Sequence, residues 1–218
     1  MLINFADKIA EIKIVYYGPA AAGKTTSLQY LARRLGVEVV DLPLAGDNDR
    51  TVFFEFAPLT QRFGNWRVKF NFWTLPGQLR FSRTRTLVLK GAQGIVFVAD
   101  SQYNAAEENL RMLGDLQEKL EEDEQVLEGL SAPQKEGVMP IVLFYNKRDL
   151  TAQQIMPVDY MDATFDLWRW GIPRVTGSAL TGENVLHAAD LISSNLMREL
   201  SKMMGLEDEE QTSKTEQK

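Results

Sequence analysis

The run Gly18-Pro19-Ala20-Ala21-Ala22-Gly23-Lys24-Thr25 constrains this chain more than any other stretch. It stands between an apolar, β-branched segment, Ile12–Gly18, and a segment with Leu28, Leu31 and Leu35 at helical spacing that Gly36 stops. It fits G-x-x-x-x-G-K-[ST], a pattern that needs a strand before it and a helix after it. Backbone N–H groups of such a loop, together with the helix N-terminus, converge on phosphate oxygens. On that reading Gly18, Ala20, Ala21, Ala22, Gly23 and Thr26 line the phosphates of a nucleoside triphosphate. Lys24 reaches the terminal phosphates and the Thr25 hydroxyl binds Mg²⁺. The alternative is a small-residue turn without a ligand, and the full match in its proper context argues against it.

Further apolar runs follow. Thr51–Phe56 and Trp66–Thr74 read as strands, the second alternating Arg67, Lys69 and Asn71 with Val68, Phe70 and Phe72. The polar stretch Gln61–Asn65 suits a hairpin between them. Gly94–Ala99, Val138–Tyr145 and Ile172–Thr176 are strand-like, and helical patterns cover Ala105–Leu127, Val158–Trp168 and Glu183–Met204. The order β-α-β-β-α-β-α-β-α-β-α predicts an α/β fold: a mostly parallel six-stranded sheet with one antiparallel edge strand and helices on both faces. In such sheets ligands sit beyond the carboxyl ends of the strands. Residues 1–205 are expected to form one domain, and 206–218 a polar, acidic, disordered tail. The acidic run Glu121–Glu124 reads as a solvated helix end.

Composition removes several function classes. The 218 residues contain no cysteine and one histidine, His187, which excludes disulfide frameworks, thiolate metal sites, cysteine nucleophiles and multi-histidine centres. A net charge of −6 argues against nucleic acid as a partner. Asp7, Lys8, Glu11 and Lys13 would interrupt a signal-peptide core, and no apolar run approaches the ~20 residues of a membrane span. Leu2 excludes myristoylation, and without cysteine no prenyl or palmitoyl group can attach. The expected location is the cytoplasm, with neither lipid anchor nor membrane span.

The base of the nucleotide is addressed by a second motif. Asn146-Lys147-Arg148-Asp149 follows an apolar strand and has the form N-K-x-D. An aspartate here accepts from both the ring N–H and the exocyclic amine of guanine, whereas adenine presents an acceptor to the same oxygens. Sites of this kind reject the wrong partner by factors on the order of 10⁴. Asn146 would brace the loop and contact the base, and the Lys147 stem would lie over the ring. Ser178-Ala179-Leu180, after the last strand, offers a backbone N–H to the guanine oxygen.

The motif order G-x-x-x-x-G-K-T, Thr51, P-G-Q, N-K-R-D, S-A-L resembles the Ras-like small GTPases. Finer resemblance is to the bacterial MglA family of small GTPases. It is carried by Val15-Tyr16-Tyr17-Gly18-Pro19, Asp49-Arg50-Thr51-Val52-Phe53-Phe54, Thr74-Leu75-Pro76-Gly77-Gln78, Leu87-Val88-Leu89-Lys90-Gly91, Val96-Phe97-Val98-Ala99-Asp100-Ser101 and Asn146-Lys147-Arg148-Asp149-Leu150. Thr74 stands where most Ras-like proteins carry the Asp of D-x-x-G, as in MglA proteins. The resemblance implies a GTP/GDP switch in polarity or motility, recruited to a cell pole through partners. It also implies a roadblock-domain (MglB-like) partner that stimulates hydrolysis. Thr51 would contact Mg²⁺ and the γ-phosphate beside Gly77, Gln78 would orient the attacking water, and Arg50 would act as an internal arginine finger. Read without the resemblance, Arg50 is a surface arginine on a loop.

One position departs from the family pattern. Ala20 replaces a glycine, and its methyl group would sit close to the γ-phosphate and to Gln78, which predicts slow hydrolysis without a partner. Two alternatives remain at this point. One is a GTP-binding scaffold with little hydrolysis. The other is a P-loop phosphotransferase with Arg80, Arg83 and Arg85 as a lid, against which N-K-R-D argues. His187 reads as structural, and Trp66, Trp73, Trp168, Trp170 and Phe53, Phe54 and Phe56 as packing residues, with Trp66, Trp73 and the three phenylalanines also suited to a partner surface.

Overall fold

The computed structural model describes residues 1–45, 51–74, 82–122, 139–167 and 171–203. Eight strands form one sheet among them: β1 (Leu2–Asn4), β2 (Ile9–Tyr17), β3 (Val40–Ala45), β4 (Thr51–Phe63), β5 (Trp66–Thr74), β6 (Gly94–Asp100), β7 (Ile141–Asn146) and β8 (Arg174–Thr176). Five α-helices accompany them: α1 (Lys24–Leu35), α2 (Ser82–Leu89), α3 (Ala106–Glu122), α4 (Val158–Thr164) and α5 (Val185–Met203). A short 3₁₀ turn, Tyr103–Ala105, precedes α3.

The strands run in the order β3-β4-β5-β2-β6-β7-β8, with β1 also paired to β2. Pairings β2·β5, β2·β6, β6·β7 and β7·β8 are parallel. The expected six strands therefore become eight, and the single antiparallel edge becomes three antiparallel pairings, β1·β2, β3·β4 and β4·β5. Both additions are peripheral. β1 is three residues long, too short to register a period of two, and borders β2 at Ile9–Glu11, before β6 takes over at Ile14–Tyr17. β3 contains Asp41 and Pro43, residues that strands disfavour except at sheet edges, where β3 lies.

Central strands β6 and β7 are buried along their whole length, the pattern of a sheet covered on both faces. One face packs Ile12, Ile14, Tyr16, Phe70, Phe72, Val96 and Val98 against Leu28 and Leu31 of α1 and Ile192 and Leu196 of α5. The other packs Val15, Tyr17, Ile95, Phe97 and Leu143 against α2, α3 and α4 through Val88, Met112, Leu116 and Met161. In β5 the predicted alternation holds: Val68, Phe70 and Phe72 are buried while Arg67 is exposed. From β2 the chain crosses through α1 to one side of the sheet and later returns to β6 on the other side. Residues 18–23 thus sit at the reversal of strand order, where open α/β sheets bind ligands.

Candidate functional site

The loop after β2 is shaped by two glycines for different reasons. Gly18 has φ +132°, and a Cβ there would lie 2.2 Å from the Val98 carbonyl oxygen of β6. Gly23 has φ +101°, and a Cβ would lie 2.1 Å from Asn146 Nδ2. Only a residue without a side chain fits either position. Between them Ala21 also takes a left-handed backbone, φ 59°. Ala20, Ala21, Thr25 and Thr26 are exposed at the carboxyl edge, while Ala22 is buried beneath them.

Helix α1 starts here with no side-chain cap and no acidic residue in its first turn. Its leading N–H groups and the positive end of its dipole are left to whatever anion approaches. Lys24 is 6% exposed, and its Nζ donates to the carbonyls of Gly18 (2.9 Å) and Pro19 (2.5 Å). Burial, with a smaller contribution from the charge of Arg85, pulls its ammonium down to about 8. A cation so poorly hydrated gains strongly from a phosphate.

Asn146 ends β7 and joins two loops. Its Nδ2 donates to the Ala22 carbonyl at 2.6 Å, and its Oδ1 accepts from the Ala179 N–H at 2.7 Å. The phosphate loop, N-K-R-D and S-A-L are thereby one unit. Lys147 has a left-handed backbone, φ 67°. Its ammonium is tied to Asp100 Oδ2 (2.6 Å) and Gln102 Oε1 (3.0 Å), two residues that sequence reasoning left without a role. Asp149 is exposed and, among the described residues, its carboxylate makes no side-chain hydrogen bond or ion pair. Ser178 and Ala179 are buried, while Leu180 is 78% exposed. Gly182, φ +86°, closes the third loop against Tyr30 of α1, whose ring a Cβ would enter.

Arg85 is no lid. It is 1% exposed, and its guanidinium donates through Nε (2.9 Å) and one terminal nitrogen (3.2 Å) to Asp115 of α3. The Tyr17 hydroxyl donates to the same carboxylate. Burial would raise Asp115, but Arg85 and Tyr17, aided by Lys119, hold it below the usual carboxylate range. This network fastens α2 and α3 to the strand that feeds the phosphate loop. Arg80 lies outside the described residues, as does the Arg83 side chain.

The other expectations divide similarly. Arg50, Gly77, Gln78, Trp168, Trp170 and the segment 206–218 lie outside the described residues; Thr51 opens β4, but its side chain, like those of Phe53 and Phe54, lies outside them. Trp66 is buried and packs edge-on against Phe5 at 5.6 Å. Trp73 packs on Phe56 (4.9 Å) and beneath Lys13 (5.1 Å). His187 is exposed on α5, along a cavity of about 360 Å³ also lined by Leu31, Leu59 and Asp190. At the carboxyl end of β5, Thr74 is buried and its hydroxyl donates to Glu55 Oε2 at 3.1 Å. Glu55 carried no role in the sequence reading.

No helix among the described residues is long and apolar enough to cross a membrane. Residues 1–196 match the ADP-ribosylation factor family. Over 203 residues the chain is 34% identical to the mutual gliding-motility protein MglA of Myxococcus xanthus (strain DK1622), covering 92% of this chain and 97% of that protein. An uncapped helix behind a glycine-bracketed loop, three loops knitted by one asparagine, and a match spanning the sheet lead to one assignment. The chain belongs to the ADP-ribosylation factor family of Ras-like small GTPases, guanine-nucleotide switches that hydrolyse GTP, with MglA among its relatives.

Proposed function

We propose that this chain is an MglA-type switch serving cell polarity or motility. Its G domain spans residues 1–205, and its intrinsic hydrolysis is slow until a roadblock-domain (MglB-like) partner binds. The observation that carries the reading is the double hydrogen bond of Asn146, which couples the phosphate loop to both base-facing loops. GTP lies with its phosphates on residues 18–26 and its guanine against Asp149 and the Ser178-Ala179-Leu180 loop, which Asn146 holds through the Ala179 N–H. Lys24 exchanges the Gly18 and Pro19 carbonyls for phosphate oxygens, a gain in charge complementarity for a buried ammonium.

Magnesium fits the chemistry of this donor set, since an exposed Thr25 hydroxyl at the head of α1 is the oxygen ligand that such loops provide. Thr25 and Thr51 would hold the ion, which neutralises charge on the phosphates when bound. Gln78 positions water, and Arg50 stabilises charge developing in the transition state. Ala20, a methyl where the family pattern has glycine, slows turnover until the partner reshapes the site. Recruitment to a cell pole runs through partner proteins.

The test is direct. Nucleotide released from purified protein should be GDP or GTP, and single-turnover hydrolysis should be slow alone and accelerated by a roadblock-domain protein. Hydrolysis that stays negligible with the partner would favour a GTP-gated scaffold instead.

A further inference from the structure

Helix α1 meets the base side of the site at two points. At its N-cap, Gly23 lies so close to the base loops that a Cβ would fall 2.1 Å from Asn146 Nδ2 and 3.6 Å from the Ala179 methyl. Two turns later, about 10 Å along the axis, Tyr30 lies against Gly182. A Cβ at Gly182 would fall 1.9 Å from Tyr30 Cζ, within the ring. Tyr30 is half-buried and packed against the core that α1 covers, so its ring has little room to withdraw.

The turn that Tyr30 meets is closed on itself. Gly182 N–H donates to the Ser178 carbonyl at 2.8 Å, Ser178 N–H to the Glu183 carbonyl at 3.1 Å, and Thr181 N–H to Ser178 Oγ at 3.2 Å. Gly177, where a Cβ would fall 2.2 Å from the Glu183 carbonyl oxygen, lets the two arms approach. A displacement at Gly182 therefore reaches Ser178 through one hydrogen bond, and Ala179 is the next residue. Asn146 holds the turn at Ala179. On the other side it rests on Tyr30.

We infer that Tyr30 is a positioning residue for guanine recognition, the rest against which the Ser178–Glu183 turn sets its backbone toward the guanine 6-oxygen. The inference rests on the reading that this turn faces the base. Lys24 and Thr25 head the same helix, so α1 is a rigid spacer between the phosphate loop and the base loop. Tyr30 acts through Gly182 and Ser178. Its closest approach is made by the ring carbons, so a phenylalanine serves equally and an aliphatic or small residue does not.

The experiment is competition against a fluorescent GDP analogue for the wild type, Tyr30→Phe, Tyr30→Leu and Tyr30→Ala. Leucine keeps most of the core packing while removing the flat ring, so the comparison survives if alanine prevents folding. The competitors are GDP, inosine diphosphate, which lacks the 2-amine, and 6-thioguanosine diphosphate, which keeps both donors but carries a larger, poorer acceptor at position 6. Tyr30→Leu and Tyr30→Ala should weaken GDP and inosine diphosphate alike, roughly 3- to 10-fold, the worth of one neutral hydrogen bond. The thio analogue should weaken less, so the gap between it and GDP narrows. Tyr30→Phe should match the wild type. Equal weakening of all three nucleotides would overturn the inference, because the tyrosine would then support the fold at large. Unchanged GDP affinity in Tyr30→Leu would overturn it too, as would a Tyr30→Phe protein as weak as Tyr30→Ala. A wild type that binds the thio analogue as tightly as GDP would show that the 6-oxygen is not read. The base-loop reading would then fail and take this inference with it, a result distinct from the others.

Discussion

Asn146 and Ala22 are 124 positions apart in sequence, yet the asparagine amide donates to the alanine carbonyl at 2.6 Å beneath the phosphate loop. The same side chain receives the Ala179 N–H at 2.7 Å. Truncation in Asn146→Ala would leave a buried carbonyl and a buried N–H unpaired. The expected cost is about 2–4 kcal/mol of stability. A thermal melt would register it, together with weakened GTP binding measured calorimetrically.

Base choice should follow Asp149. Asp149→Asn replaces one acceptor by a donor, which suits the xanthine oxygen and opposes the guanine amine. Competition binding should show GTP weakened and xanthosine triphosphate gaining relative to it, by factors on the order of 10² or more. Equal competition by ATP and GTP in the unaltered protein would refute the assignment of this loop.

Lys24 predicts a pH effect whose sign can be worked out. In the unfolded chain its ammonium titrates at 10.5, and in the folded, nucleotide-free protein burial lowers this to about 8. Between those values the unfolded chain holds the proton that the folded protein has shed. Stability of the nucleotide-free protein contributed by this group therefore rises with pH across that window. GTP binding should restore the charge, so calorimetry in buffers of different ionisation heat should detect proton uptake approaching one per GTP at about pH 9 and little at about pH 7. The uptake should vanish in Lys24→Met.

Catalysis offers the sharpest contrast between variants. Arg50→Ala and Gln78→Leu should bind GTP within a few-fold of the wild type yet lose partner-stimulated hydrolysis, since an arginine finger is worth about 10³–10⁵ in rate. Ala20→Gly should raise the intrinsic single-turnover rate, the outcome expected if the Ala20 methyl takes room that Gln78 needs. A rate equal to or below the wild type would show that the alanine is accommodated.

Much of this was legible in the residues themselves. The alternation from Trp66 to Thr74 reports its own geometry, and the run from Gly18 to Thr25 carries its strand and helix with it. Glu55 was not legible, because its meeting with Thr74 and Gln29 depends on how β4 is paired with β5 and on which face α1 covers. Arg85 misled for a related reason. Among neighbouring arginines it looks like surface charge, and only Asp115, 30 positions later, explains its burial. Asp41 and Pro43 concealed β3, since the demands of an edge strand differ from those of a core strand.

The contact that leaves no room for a side chain at Gly18 also ties the phosphate cradle to β6, the strand flanked by β2 and β7 and buried throughout. Amide protons at such depth exchange with solvent only when the whole domain opens. The floor of the cradle at Gly18 therefore rests on the most deeply buried part of the sheet, and position 18 has no mutational latitude. A change of shape between the GTP and GDP forms is therefore expected in the parts of the site that do not rest on β6.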